Sequence, residues 1–224
     1  MRITPDNWDY SRSRFVAYVV SDFQTMAMTD RILVANMITA ASPDIILSAG
    51  DTSDANNFST SMAIYQAWVD RGLFWPAPGN HDQTTTVGIP DYCQSFFQYY
   101  TYLQNKYYYV LSLGPLDVFY LNSHGLNPDG YLSSSLQADW LTAMIASSTA
   151  EWKVALIHYP PYSSGNLHGS TPSAQWPQLA SMDAVISGHD HIYERILVGD
   201  TYYFVNGMGG SNHYGFITPP VAGS

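Results

Sequence analysis

Five short apolar runs each end on a side chain able to bind a metal, and no other feature of the chain restricts its fold as much. Phe15 to Val20 leads to Asp22. Ile45 to Gly50 leads to Asp51. Phe74 to Gly79 leads to Asn80. Val154 to Ile157 leads to His158. Ala184 to Gly188 leads to His189, with His191 following. The runs are β-branched or aromatic and read as buried strands. Between them, residues 29–41, 59–71 and 134–145 read as helices. In the first of these Ile32, Leu33, Ala35, Met37 and Ile38 supply the apolar residues. Strands alternating with helices predict βαβ units and the α/β class. In open α/β sheets, ligands bind beyond the carboxyl ends of the strands. The sequence therefore delivers two Asp, one Asn and three His to one rim.

This donor set mixes oxygen and nitrogen and holds no sulfur, which suits Zn, Mn or Fe. Gly precedes Asp51, Asn80 and His189, allowing a sharp turn and close backbone approach. In His189-Asp190-His191, extended backbone would put both imidazoles on one side. Two metals in one hydrolytic site need a shared ligand. A carboxylate bridges readily and an imidazole does not, so Asp51 is the best bridging candidate.

Composition removes other classes. Lys plus Arg total 8 against 18 Asp plus Glu, a net charge of −10. A nucleic-acid partner needs the opposite sign, and anionic membrane surfaces are disfavoured for the same reason. No apolar run approaches the ~20 residues of a membrane helix. The single cysteine, Cys93, excludes an intrachain disulfide and a Cys-rich zinc module. It reads as a small buried hydrophobe. A Gly-x-Ser-x-Gly elbow, a P-loop and a His-Glu-x-x-His motif are all absent. The 224 residues fit a single domain, 1–224, with 1–13 as an N-terminal arm. The first residues lack the apolar stretch of a signal peptide. Low lysine and abundant Ser, Thr, Asn and Gln still hint at an exported protein.

Further strands are expected at Tyr107 to Leu113, Asp117 to Leu121, Trp152 to Ile157, Asp183 to Ile186 and Tyr202 to Val205. Apart from the first two of these, residues 82–131 read as loops over one edge of the site. The tyrosines at 99, 100, 102, 107, 108 and 109 read as packing residues more than cleft residues. His124 and His213 read as structural or surface residues.

Taken in order, the motifs resemble the calcineurin-like metallophosphoesterase superfamily, and within it the purple acid phosphatase-like branch. The matching pieces are Ser21-Asp22, Gly50-Asp51, Gly79-Asn80-His81-Asp82, His158-Tyr159-Pro160-Pro161-Tyr162-Ser163, and Gly188-His189-Asp190-His191-Ile192-Tyr193-Glu194-Arg195. Leu136-Gln137-Ala138-Asp139-Trp140-Leu141 is similar to the family's Gln-x-x-Trp-Leu helix, and Gly207-Met208-Gly209-Gly210 to its late Gly-rich turn. The resemblance covers Phe15 to Gly210. It implies a four-layered α/β/β/α sandwich, with two mixed sheets face to face and helices outside. It implies two metal ions, Fe, Zn or Mn. One would be held by Asp22, Asp51 and His191, the other by Asp51, Asn80, His158 and His189. His81 would stabilise the phosphate or protonate the leaving group, Asp82 would orient His81, and His168 would face the substrate. The implied reaction is hydrolysis of a small phosphate ester, monoesters favoured, by a metal-bound hydroxide with no covalent intermediate.

Three departures bear on that expectation. Gln24 stands where the superfamily carries His or Gly. Asp54 stands where purple acid phosphatases carry an iron-binding tyrosine. The chain stops at Ser224, where relatives continue into further strands, so its C-terminus is read as truncated or differently built. Asp54 and Gln24 are thus candidate additional ligands for the first metal. A phosphodiesterase with the same site is the alternative within the class. A non-catalytic module of a larger assembly is the alternative outside it.

Overall fold

The computed structural model describes residues 1–11, 14–24, 29–54, 57–83 and 94–224. Cys93 lies outside them. In chain order the elements are β1 (Arg2–Ile3), β2 (Ala17–Val20), α1 (Thr29–Ala41), β3 (Ile45–Ser48), α2 (Phe58–Ser61), α3 (Gln66–Val69), β4 (Phe74–Pro76) and α4 (Gln94–Tyr99). Then come β5 (Tyr109–Ser112), β6 (Leu116–Leu121), α5 (Leu136–Ala146), β7 (Trp152–Ile157), β8 (Ala184–Ser187), β9 (Tyr193–Val198) and β10 (Thr201–Asn206).

The strands form two sheets, in the orders β1-β5-β6-β7-β8-β10-β9 and β2-β3-β4. The smaller sheet is parallel throughout, with Val19 opposite Leu47 and Leu47 opposite Trp75. In the larger sheet β6, β7, β8 and β10 run parallel, β5 and β9 pair antiparallel to β6 and β10, and β1 adds a parallel edge on β5. Side chains alternate faces along a strand, and the core divides accordingly. Tyr109, Leu111, Val118, Tyr120 and Leu156 pack toward the smaller sheet, with Ile46, Leu47 and Phe74 in the same cluster. Val110, Phe119, Leu121, Ala155 and Ile157 pack on the other side with Ala138 and Leu141 of α5. This is the expected α/β/β/α arrangement. At ~25 cal/mol per Å² of apolar surface, each such fully buried aromatic or Leu side chain contributes about 1.5–3 kcal/mol.

The α5 helix starts where Ser135, in extended backbone, accepts a hydrogen bond from the Ala138 N–H. In α1 only part of the expected apolar set faces inward. Ala35 and Ile38, one turn apart, are buried, while Ile32, Leu33 and Met37 are exposed. The stretch 59–71 is not one helix. It divides into α2, a 3-10 turn at Met62–Ile64 and α3, because it bends around the buried Tyr65 and Trp68. Within 82–131, Gln94–Tyr99 is helical and continues into a 3-10 turn at Thr101–Leu103, driven by burial of Phe96, Phe97, Tyr100 and Leu103. Tyr99, Tyr100, Tyr102 and Tyr109 do pack in the core. Arg2 and Ile3, read as part of an arm, form an edge strand on β5. The strand β9 has no counterpart among the strands the sequence predicts. Its alternation of exposed Tyr193, Arg195 and Leu197 with buried Glu194 and Ile196 is that of a strand covered on one face.

Candidate metal centre

The carboxyl ends of β2, β3, β4, β7 and β8 meet at one rim. Asp22, Asp51 and His189 all take left-handed backbone there, with φ of 60°, 53° and 69°. Outside glycine this region is uncommon, and it is used most by Asn, Asp and His. Each such residue costs on the order of 1 kcal/mol, and such strain concentrates at functional sites. It turns the chain sharply as the strand ends. The glycines explain how close the loops come. A Cβ on Gly79 would sit 2.2 Å from Asp51 Oδ1, and one on Gly188 would sit 2.4 Å from Asp22 Oδ2.

One donor atom each from Asp22, Asp51 and His158 lie within 4.8 Å of one another. All three side chains are buried. Asp22 accepts the His189 N–H on both oxygens at 3.1 and 3.0 Å, and the Ser21 hydroxyl at 2.6 Å. His191 Nε2 lies 3.5 Å from Asp22 Oδ1. His158 Nε2 lies 3.3 Å from Asp51 Oδ1 and 3.0 Å from Asn80 Oδ1. On their far sides, His158 Nδ1 meets the Ala49 carbonyl at 2.8 Å and His191 Nδ1 meets the Asn212 carbonyl at 2.7 Å. A carbonyl can only accept, so both rings donate from Nδ1 and turn Nε2 to the carboxylates. That is how metal-binding histidines are held. Two neighbouring buried carboxylates need compensating positive charge. The donor chemistry and ring orientations therefore fit a cation.

The electrostatics agree. Burial pushes the Asp22 carboxyl upward, but the His191 hydrogen bond and the His158 and His191 charges outweigh it and hold Asp22 below its ordinary value. Burial pulls His158 down, yet the Asp51 charge and hydrogen bond raise it to about 9. His189 goes the other way, to about 2, through burial and the charges of His158 and His168. Its ring packs 4.0 Å from that of His168, 4.5 Å from Tyr159 and 5.2 Å from His158.

His81 is half-exposed. Its Nδ1 lies 3.1 Å from Asp54 Oδ1, and its Nε2 lies 4.0 Å from Asp51 Oδ2. Asp82 does not meet this ring among the described contacts. Its buried carboxylate accepts from the Thr52 N–H and hydroxyl, the Ser53 N–H and the Gly79 N–H, at 2.8–2.9 Å. The carboxylate beside the His81 ring is thus Asp54, while Asp82 ties the Asp51 loop to the Asn80 loop. Asp54 is accordingly turned to His81, and Gln24 Oε1 accepts from the Ser211 hydroxyl at 3.3 Å. His168 is exposed, on a loop fixed by the buried Asp190. That carboxylate accepts from the Ser163 hydroxyl at 2.6 Å, the Gly169 N–H at 2.9 Å and the His168 N–H at 3.3 Å. Sequence reasoning passed over Asp190. The extended backbone expected at His189-Asp190-His191 is not formed: His189 is left-handed and the chain turns tightly through Asp190, whose carboxylate meets the Ser163 and Gly169 loop instead.

The family model for calcineurin-like phosphoesterases matches residues 17–193. No curated protein matches the sequence. Among solved structures, the purple acid phosphatase from yellow lupin (Lupinus luteus) seeds aligns with a TM-score of 0.75 at 17% identity, covering 93% of this chain and 46% of that one. This chain thus spans about half the length of that protein. A dimetal phosphatase from Danio rerio aligns with a TM-score of 0.61 at 14% identity, covering 89% and 90%. GAP50, the anchor in the inner membrane complex of Plasmodium, aligns with a TM-score of 0.59 at 17% identity, covering 92% and 76%. At these identities the likeness is one of fold. With its motifs and donor groups on one rim, and the family model matched across most of its length, the chain belongs to the calcineurin-like phosphoesterases.

Proposed function

We propose that this protein hydrolyses small phosphate esters, monoesters in preference to diesters, with two metal ions at the rim. The observation that carries this is the Asp22, Asp51 and His158 group, with Nε2 of both His158 and His191 turned to the carboxylates. Asp22, Asp51 and His191 would hold one ion, and Asp51, Asn80, His158 and His189 the other. Bound there, two cations would offset the phosphate's charge and make water acidic enough to supply the nucleophile. The chain's own residues do the rest. His81, fixed through Nδ1 by Asp54, presents Nε2 on the Asp51 side, where it donates a proton or a hydrogen bond to the leaving oxygen. General acid catalysis of this kind contributes ~10²–10⁴-fold. His168, beside His189, contacts the substrate. Similarity to the lupin enzyme's fold and the ordered motifs support the purple acid phosphatase-like branch. Asp54 replaces the tyrosine, so iron-loaded protein should be colourless.

A non-catalytic module is the second reading. It is favoured by the turning of Asp54 and Gln24 to His81 and Ser211, which leaves three ligands for the first ion. Elemental analysis, with assays on p-nitrophenyl phosphate and its bis ester in Mn, Zn or Fe, tests both. Two metals per chain and faster monoester turnover support the hydrolase. No metal after soaking and no turnover support the module. Faster diester turnover reverses the monoester preference.

A further inference from the structure

The segment from Ser211 to Ile217 reaches back over the metal centre. The Ser211 N–H donates to the Asp22 carbonyl at 3.2 Å, and the Asn212 carbonyl accepts from His191 Nδ1 at 2.7 Å. The Tyr214 N–H donates to the His191 carbonyl at 3.0 Å. Its ring stacks on the His191 ring, 4.3 Å between centroids and 15° from parallel. The same segment is laced to the loop that carries His168. The Asn166 N–H donates to the Gly215 carbonyl at 2.9 Å, and the Gly215 N–H to Asn166 Oδ1 at 3.1 Å. Gly165 bridges Phe216, and the Ile217 N–H donates to the Ser164 carbonyl at 2.8 Å. Tyr214 meets His168 edge-on at 5.5 Å, and His168 packs 4.0 Å from His189. The rings of His191, Tyr214, His168 and His189 thus follow one another across the rim, from a histidine proposed for the first ion to one proposed for the second.

We infer that Tyr214 is a positioning residue for the first ion, holding the His191 ring in the plane from which Nε2 faces Asp22. The inference rests on the two-ion reading above and assigns Tyr214 no contact with substrate. A histidine ring turns broadly about its bond to Cβ. The Asn212 carbonyl fixes one edge of the His191 ring, and the face of Tyr214 fixes its plane. An imidazole bound to a cation carries part of the positive charge, which suits the electron-rich face of a tyrosine. With Asp54 and Gln24 turned to His81 and Ser211, this ion has Asp22, Asp51 and His191 as its side-chain ligands. Its retention then depends strongly on how well each of them is held.

Zinc titrated into chelator-treated protein, in competition with a fluorescent chelator, gives the affinities of both ions. His191→Ala and Asn80→Ala tell them apart, since His191 serves the first ion alone and Asn80 the second alone. Tyr214→Ala should weaken the first ion about tenfold, as when a group that orients a metal-binding histidine is removed, and the second by less than about twofold. Tyr214→Phe keeps the ring and should stay within about twofold of wild type. Tyr214→Leu fills the space without an aromatic face and should lose most of what Tyr214→Ala loses. Added to His191→Ala, Tyr214→Ala should cost nothing further. Equal weakening of both ions overturns the role. So does wild-type affinity in Tyr214→Ala or Tyr214→Leu, or a loss in Tyr214→Phe as large as that in Tyr214→Ala. Wild-type protein that binds fewer than two zinc ions overturns the two-ion reading, and this inference with it.

Discussion

Asp54 Oδ1 lies 3.1 Å from Nδ1 of His81, and this contact leaves Nε2 as the nitrogen nearer Asp51. Both side chains are partly exposed, so the pair adds little to stability. Its value is in fixing a ring that would otherwise rotate. Asp54→Ala should therefore lower kcat about tenfold while leaving the melting temperature nearly unchanged. In a His81→Ala background the same substitution should cost nothing further. A double-mutant cycle on kcat checks this, and additive losses would break the link between the two residues.

Gly79 gives a steric prediction. A Cβ there meets Asp51 Oδ1 and the Asp51 nitrogen at 2.2 and 2.3 Å, so Gly79→Ala must push Asp51 aside. Expected are a stability loss of about 1–3 kcal/mol, the usual range for overpacking, and loss of bound metal. Gly114 is the control. Its φ is +82° with nothing within 4 Å of an added Cβ. Gly114→Ala should cost about 1–2 kcal/mol of left-handed strain and keep full metal content. Urea denaturation with elemental analysis separates the two.

Metal should stabilise the fold as well as activate it. At a hundredfold excess over Kd, binding adds about 2.7 kcal/mol. For a chain of this size that raises Tm by roughly 5–11 °C. Zn or Mn added to chelator-treated protein should produce such a shift in calorimetry. Asp51→Asn and His158→Ala should abolish most of it, since both side chains belong to the buried donor group.

Asp117 sets part of the acid limit. Burial pushes its carboxyl up, but hydrogen bonds from Arg2, Ser112 and Ser148 outweigh that and hold it below its ordinary value. A carboxyl depressed in the folded state contributes stability that is complete above its unfolded pKa of about 3.9 and lost as pH falls toward the folded value. Urea midpoints should therefore fall below about pH 4. In Asp117→Asn that part of the decline should be missing, at a lower stability near neutral pH.

The donor residues and their order were legible in the sequence, because a strand buried on both faces must be apolar and must stop where polar groups begin. Val20, Ser48, Pro76, Ile157 and Ser187 end their strands within a few residues of Asp22, Asp51, Asn80, His158 and His189. The helices were less legible. The run at 59–71 had helical composition, yet its turns bend to seat Tyr65 and Trp68. The edge strand β9 was hidden because its first residues, Tyr193 to Arg195, lie within a motif that already had a meaning.

The sequence by itself determined which side chains reach the rim and that they suit a metal, since strand ends and local turn chemistry depend on near neighbours. Only the tertiary structure decided their pairings. Asp82 follows His81, yet bonds to Thr52 and Ser53 because the buried turn needs an acceptor for those N–H groups. Asp54, 27 residues away, meets the ring instead. His124 reads as a structural or surface residue, and only the fold shows that Gln137 of the next helix fixes Asn122, which accepts its N–H. Hydrogen bonds between segments distant in sequence form only when the sheets pack, and spacing along the chain does not encode their geometry.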